Sequence, residues 1–324
     1  MTRLHPAWEN VLKLSPLVCV QLPPSRVGLC SLIQRAGAIA VVDTTRHPTA
    51  DVVDGAWVRT RPGRPAPGIS DVVLAELGAP IPGRRTWLET SVPRDVPRGF
   101  AGLILKGNEA GGPHGDEPGL VMLSACPEPD RVILDAALSP EGVAEALSCG
   151  AAGVWLGGQH VLCPELDLPD ELRQWLSLPP EERTSLVAGW RVANPPTAPV
   201  LRALATGADP WGLPDAWEVG LSKGLWPLGQ GVGIADWLAQ RYGGLAEIVG
   251  AYVAAAGRPV LAETDVVAPV ERGVGEAIAI IGLGCCFPDA PNIDAFWQNV
   301  TSGHSAIRTV PTERWDAALY FDPD

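Results

Sequence analysis

Positive charge is scarce in this sequence: 24 Lys and Arg stand against 37 Asp and Glu, a net charge of −13. Nucleic acids and anionic membranes need clustered cations, so neither is expected as the main partner. Pairing signals among the cysteines are missing too. Cys19, Cys30, Cys126, Cys149, Cys163, Cys285 and Cys286 form no C-x-x-C pair and are odd in number. No zinc site and no disulfide framework follow, and buried reduced thiols in a cytoplasmic protein are expected. Long apolar runs are absent, since stretches such as residues 277–283 are far too short to cross a bilayer. Residues 1–10 carry no apolar core and no cleavage pattern, so no secretory signal is expected there. What remains is a globular chain of 324 residues, 46% hydrophobic, with room for two or three domains.

The apolar residues that are present come in short runs closed by Gly and Pro. Leu17 to Leu22 reads as a strand, Val27 to Arg35 as a helix, and Ala38 to Val42 as a second buried strand. This strand-helix-strand order builds parallel sheets. Further strands are expected at 56–59, 86–89, 100–106, 120–123, 132–134 and 153–156, with a short helix at 71–77. Ser139, Pro140 and Glu141 are expected to open a helix that Gly150 ends. A strand count near eight fits a (β/α)₈ barrel. Such barrels usually run to ~250 residues, so this one is expected to be trimmed, with helices shortened or lost. A doubly wound open sheet is the alternative.

The most distinctive stretch is Gly107-Asn-Glu-Ala-Gly-Gly-Pro-His-Gly115, which follows the strand ending at Lys106. Its glycines allow close backbone approach and positive φ; the plain alternative is a glycine-rich turn. Glu109 and His114 would sit at a strand exit, where sites in α/β folds gather. His160, after Gly157 and Gly158, is a second candidate for the same mouth.

These residues resemble the Gly-x-Glu-Ala-Gly-Gly-His-x-Gly signature of the nitronate monooxygenase (2-nitropropane dioxygenase) family. Residues 132–162, Gln21 after the first strand and Ala36-Gly37-Ala38 are similar to that family as well. The resemblance implies a degenerate TIM-type barrel that binds FMN. It places Gln21, Gly107, Gly111, Gly112, Ala136, Ala137, Gly157 and Gly158 at the cofactor, with Glu109 beside it and His114 as acid/base. The departures lie where the phosphate is held. Pro113 displaces His114 by one position, Ala136-Ala137 stand for a Gly-Gly pair, and Pro23-Pro24 replace a methionine-glycine turn. Each added Cβ hinders close approach and each proline lacks an N–H. The expectation is a barrel that holds FMN poorly or not at all.

Residues 166–256 read as a helical extension, with helices expected at 170–178, 181–192, 200–205, 234–242 and 245–256. Six of the twelve tryptophans fall between Trp175 and Trp237, which suggests a layer packed on the barrel or on a partner. Residues 257–275 read as a linker. From Glu276 the chain is similar to the opening of β-ketoacyl synthase domains of modular polyketide synthases. The match runs through Ala277-Ile-Ala-Ile-Ile-Gly-Leu-Gly-Cys-Cys-Phe-Pro288, Asp294-Ala-Phe-Trp-Gln-Asn299 and Tyr320-Phe-Asp-Pro-Asp324. Asp294 is the expected N-cap of a helix there. The catalytic cysteine and histidines of that family lie past residue 324, so no condensing activity is expected from this chain.

Four segments are thus expected: 1–165 barrel, 166–256 Trp-rich extension, 257–275 linker and 276–324 incomplete ketosynthase start. The resemblances imply part of a polyketide or fatty acid megasynthase. Three roles stay open for the barrel. It is a non-catalytic positioning module, a catalytic FMN-dependent enoyl reductase or nitronate-type oxidase, or a docking module. Its expected partners are the ketosynthase, an acyl carrier protein or a second copy in a homodimer. No metal is expected.

Overall fold

The computed structural model describes residues 16–46, 53–64, 71–257, 284–307 and 314–315. They fall in two units, Met1–Ala262 and Glu263–Asp324, each taken by itself below. The linker and the first ketosynthase-like strand expected from sequence lie outside the described residues, apart from Gly257 and residues 284–288.

The first unit is built on eight parallel strands: β1 (Leu17–Leu22), β2 (Ile39–Asp43), β3 (Trp57–Thr60), β4 (Val72–Leu74), β5 (Thr86–Thr90), β6 (Gly102–Lys106), β8 (Val132–Asp135) and β9 (Gly153–Leu156). They close into a barrel because β1 pairs with β2 on one side and with β9 on the other. The TIM-type barrel expected from the strand count is therefore the fold, and the open sheet is not. A two-residue strand, β7 (Gly112–Pro113), stands outside the barrel.

Strand side chains alternate, so every second residue points inward. Cys19, Val41, Trp57, Val73, Trp87, Ile104, Ile133 and Trp155 form one buried cluster, one residue from each strand. Their neighbours Val18, Val20, Ala40, Val72, Leu88, Leu105 and Leu134 face outward into a second, larger cluster beneath the helices. Three tryptophans fill much of the barrel, with Trp57 stacked on Trp87 at 5.4 Å between ring centroids. Gly102 allows this, since a Cβ there would meet Trp87 at 2.4 Å.

Helices cover part of the outside. The Cys30–Arg35, Gly119–Ser124, Val143–Ser148 and Leu245–Ala256 helices pack on the outward apolar faces. In the last of these Leu245, Ile248, Val249 and Tyr252 are fully buried, a stripe at helical spacing. Tyr252 Oη donates to Leu138 O at 2.6 Å. Among the described residues, no helix lies between β2 and β6.

Four expectations are corrected. Residues 71–77 hold β4, not a helix: Val72, Val73 and Leu74 are all buried, and three apolar residues show no periodicity that separates the two. Residues 120–123 lie in a helix, Gly119–Ser124, whose first N–H donates to the Glu109 carboxylate. Residues 181–192 contain a hairpin, β10 (Ser185–Val187) and β11 (Trp190–Val192). Its turn, Ala188-Gly189, has φ of 49° and 76°, values that sequence does not advertise at an alanine. The helix expected to open at Ser139 begins at Val143, and Ser139 Oγ instead caps the turn before it by accepting from Gly142 N.

In the second unit, the Ile293–Ser302 helix is capped by Asn292, whose side chain accepts from Ala295 N at 2.9 Å. Asp294, the expected cap, lies in the first turn.

Candidate functional site

One layer beyond the inner apolar cluster, most strands change character. Two positions after Cys19, Val41, Trp57, Trp87, Ile104 and Ile133 come Gln21, Asp43, Arg59, Glu89, Lys106 and Asp135. The C-terminal mouth of the barrel is thus ringed by ionic side chains on an apolar floor. Arg59 holds Glu89 through Nε and Nη2 at 2.5 and 2.8 Å and Asp43 through Nη1 at 2.7 Å. Lys106 Nζ donates to Asp135 Oδ2 at 2.8 Å. Gln21 Nε2 donates to Asp43 Oδ2, and its Oε1 accepts from Trp155 Nε1.

These pairs decide the charge states. Burial pulls the Arg59 guanidinium down, but Asp43 and Glu89 more than offset this and hold it above its ordinary value. Burial likewise pushes Asp43 and Glu89 up, and Arg59 overrides it, so both carboxyls titrate below the usual range. At Asp135 burial wins over Lys106, and the carboxyl is raised.

The mouth opens into a cavity lined by Gln21, Asp43, Arg46, Lys106, Asp135, Gly157 and His160, with Trp190, Trp211, Trp217 and Trp226 as aromatic walls. Trp190 meets Trp211 edge-on at 4.8 Å, and Trp217 meets Trp226 edge-on at 6.5 Å. The Trp-rich stretch after residue 166 supplies these walls. His160 is 3% exposed; its Nε2 donates to Gln21 O at 2.9 Å, and its Nδ1 is buried with no partner. Burial lowers its pKa to about 4, so the ring is neutral at pH 7.

The residues expected at a cofactor are distributed unevenly. Gln21, Gly111, Gly112 and Gly157 line the cavity. Glu109 accepts from Gly119 N, and Gly107 is packed against that same residue, where a Cβ would stand 2.4 Å from Gly119 N. Half-buried His114 turns Nδ1 to Gly115 O at 2.7 Å, inside its own loop. The glycine loop is sewn to the hairpin, with β7 paired to β11 and Arg191 Nε donating to Asn108 O. Gly111 lies back to back with residues 227–229: a Cβ there would come within 2.4 Å of Pro227 O. At that position the missing side chain makes room for the chain's own backbone.

The loops after β8 and β9, the last two barrel strands, are where such barrels commonly hold phosphate. Here the Gln159 side chain lies between them, 2% exposed. Its Oε1 accepts from Gly158 N at 3.1 Å, and its Nε2 donates to Ala136 O at 3.0 Å. Val232 covers Gly158 from outside, and Ala137 stays half-buried.

The ring of Asp43, Arg59, Glu89, Lys106 and Asp135, and Arg46 above it, escape a motif search. Their signal is positional: each ring residue closes an apolar β run, where an outward charge would not be expected to recur five times.

Comparison with known proteins agrees with both halves. Residues 275–324 match the family model described as beta-ketoacyl synthase, N-terminal domain. Over 52 residues the chain is 44% identical to a phenolphthiocerol/phthiocerol polyketide synthase of Mycobacterium tuberculosis, covering 16% of this chain and 3% of that protein. Over 48 residues it is 46% identical to the polyketide synthase ThaG of Burkholderia thailandensis, covering 15% and 1%. The chain therefore spans only a small part of the length of these relatives. Its fold is similar to that of FabK from Thermotoga maritima, with a TM-score of 0.53 at 15% identity over 78% of this chain and 96% of that one. This chain thus carries a closed parallel barrel of the TIM type and, at residues 275–324, a segment similar to the N-terminal part of β-ketoacyl synthase domains.

Proposed function

We propose that the barrel is a flavin-free module of a polyketide-synthase-type assembly, placed ahead of the ketosynthase to position or dock its neighbours. The observation that carries this reading is Gln159. Its carboxamide oxygen accepts from the Gly158 N–H while its amide donates to the Ala136 carbonyl, so the Gly158 donor that could hold a cofactor phosphate is already used within the chain. An ionised phosphate in its place could accept from Gly158 N but could not donate to Ala136 O, and the carbonyl left unpaired disfavours a simple displacement. Packing of residues 227–229 against Gly111 supports the same reading. The ketosynthase and an acyl carrier protein are the proposed partners, because the relatives matched at residues 275–324 are polyketide synthases.

A second reading, a flavin-dependent enoyl reductase or nitronate-type oxidase, is favoured by the ionic ring at the barrel's C-terminal mouth. Titration of the purified chain with FMN, followed by flavin fluorescence, separates the two. Absence of saturable binding at micromolar FMN is expected. Stoichiometric binding in that range would establish the second reading instead.

A further inference from the structure

Arg46 leaves β2 at the cavity and is used by nothing described so far. Its side chain is only 7% exposed. Nη1 donates to Leu225 O at 3.0 Å and stands 3.7 Å from Asp215 Oδ2. Nε and Nη2 are buried and have no partner. These are the two parallel donors along one edge of a guanidinium, the edge that grips a carboxylate in fork geometry. Buried cationic donors are ordinarily paired, so an unpaired fork on a cavity wall points to a ligand.

The surroundings narrow that ligand. The cavity measures about 80 Å³. By that measure a single water takes about 10–15 Å³, so the occupant has a handful of heavy atoms. Asp43 and Asp215 both act electrostatically on Arg46. A dianion such as phosphate would set two negative charges against those carboxylates, whereas a monocarboxylate sets only one. Trp217, Trp226, Pro227 and Leu228 give part of the wall an apolar surface suited to hydrocarbon.

We infer that the barrel mouth binds a short-chain monocarboxylate, gripped by Nε and Nη2 of Arg46 with its alkyl tail along the tryptophan wall. The inference rests on the flavin-free reading only in that the cavity is not filled by a larger cofactor.

The test is a titration of the full chain with sodium butyrate, read by tryptophan fluorescence and by the thermal midpoint. Butyramide serves as the uncharged isostere and inorganic phosphate as the alternative anion. Saturable binding of butyrate is expected, at least tenfold tighter than either control. Arg46→Gln should weaken it at least tenfold, and Arg46→Lys, which keeps the charge without the fork, should weaken it less. Both variants are first checked for an unchanged urea midpoint; if either has lost its fold, the wild-type comparison of butyrate with butyramide decides. No saturable response to butyrate overturns the assignment, as does an equal response to butyramide or undiminished binding by a folded Arg46→Gln. Tighter phosphate binding would overturn the carboxylate specificity. FMN that binds and is displaced by butyrate would end the flavin-free reading while leaving the Arg46 fork in place.

Discussion

At the scale of single residues, His160 shows how burial sets chemistry. A backbone carbonyl can only accept, so the bond to Gln21 O fixes the proton on Nε2 and leaves Nδ1 bare. The neutral ring carries a pKa of about 4, against an ordinary 6.5. The unfolded chain therefore binds a proton between those two values that the folded chain refuses. The stability from keeping this ring neutral is fully present above pH 6.5 and is lost as pH falls toward 4, at up to about 1.4 kcal/mol per pH unit. His160→Gln keeps a donor for Gln21 O and has no such titration. Urea midpoints measured from pH 7.5 to 4 should fall more steeply for the natural protein than for this variant. Asp43 and Glu89, whose pKa values are lowered, also destabilise in acid, but they do so in both proteins and cancel in the difference. Parallel curves would show that His160 is protonated or solvated in the folded state. Residue identity made His160 visible in the sequence, whereas its isolation depends on Gln21, Leu166 and Trp217 arriving from distant segments around the cavity.

At the scale of elements, the hairpin β10–β11 links the glycine loop to the Trp walls, and its turn is strained. Ala188 sits at φ 49°, the left-handed region that costs a residue bearing a Cβ roughly 1–2 kcal/mol. Ala188→Gly removes that Cβ but adds freedom to the unfolded chain, so a net gain of up to about 1 kcal/mol is expected. Ala188→Val should lose at least as much, since a branched residue fits that region worst. Chemical denaturation monitored by circular dichroism checks both, and a destabilised Ala188→Gly would remove strain from the account. This element also marks where sequence reading stopped. The long runs in β1, β2 and β6 are legible because five or six apolar residues between glycine and proline punctuation permit little else. β4 has three residues and β11 three, each short enough to be ambiguous until neighbouring strands fix them. The ionic ring was hidden for a related reason. Alternation decides inward from outward, and a charge at a strand end looks solvated until the barrel closes around it.

At the scale of the whole molecule, apolar burial among the described residues is concentrated in the first unit. All four buried clusters draw their residues from positions 17–256. Among the described residues of the second unit, Ala290 is the one buried apolar side chain, while Phe287, Phe296, Trp297 and Ile307 are exposed. A helix with a good Asn292 cap but no buried residue of its own gains little from its hydrogen bonds. Cooperative melting should therefore belong to the barrel. Calorimetry of the full chain and of residues 1–262 should give one endotherm each, with nearly equal enthalpy. Packed residues contribute on the order of 0.7 kcal/mol apiece near 60 °C, so a folded second unit would add on the order of 40 kcal/mol to the full chain. An excess of that size, or a second endotherm, would mean that residues 263–324 build a core of their own. Equal enthalpies would place the whole of the cooperative stability in a barrel whose inner floor is apolar and whose mouth is ionic.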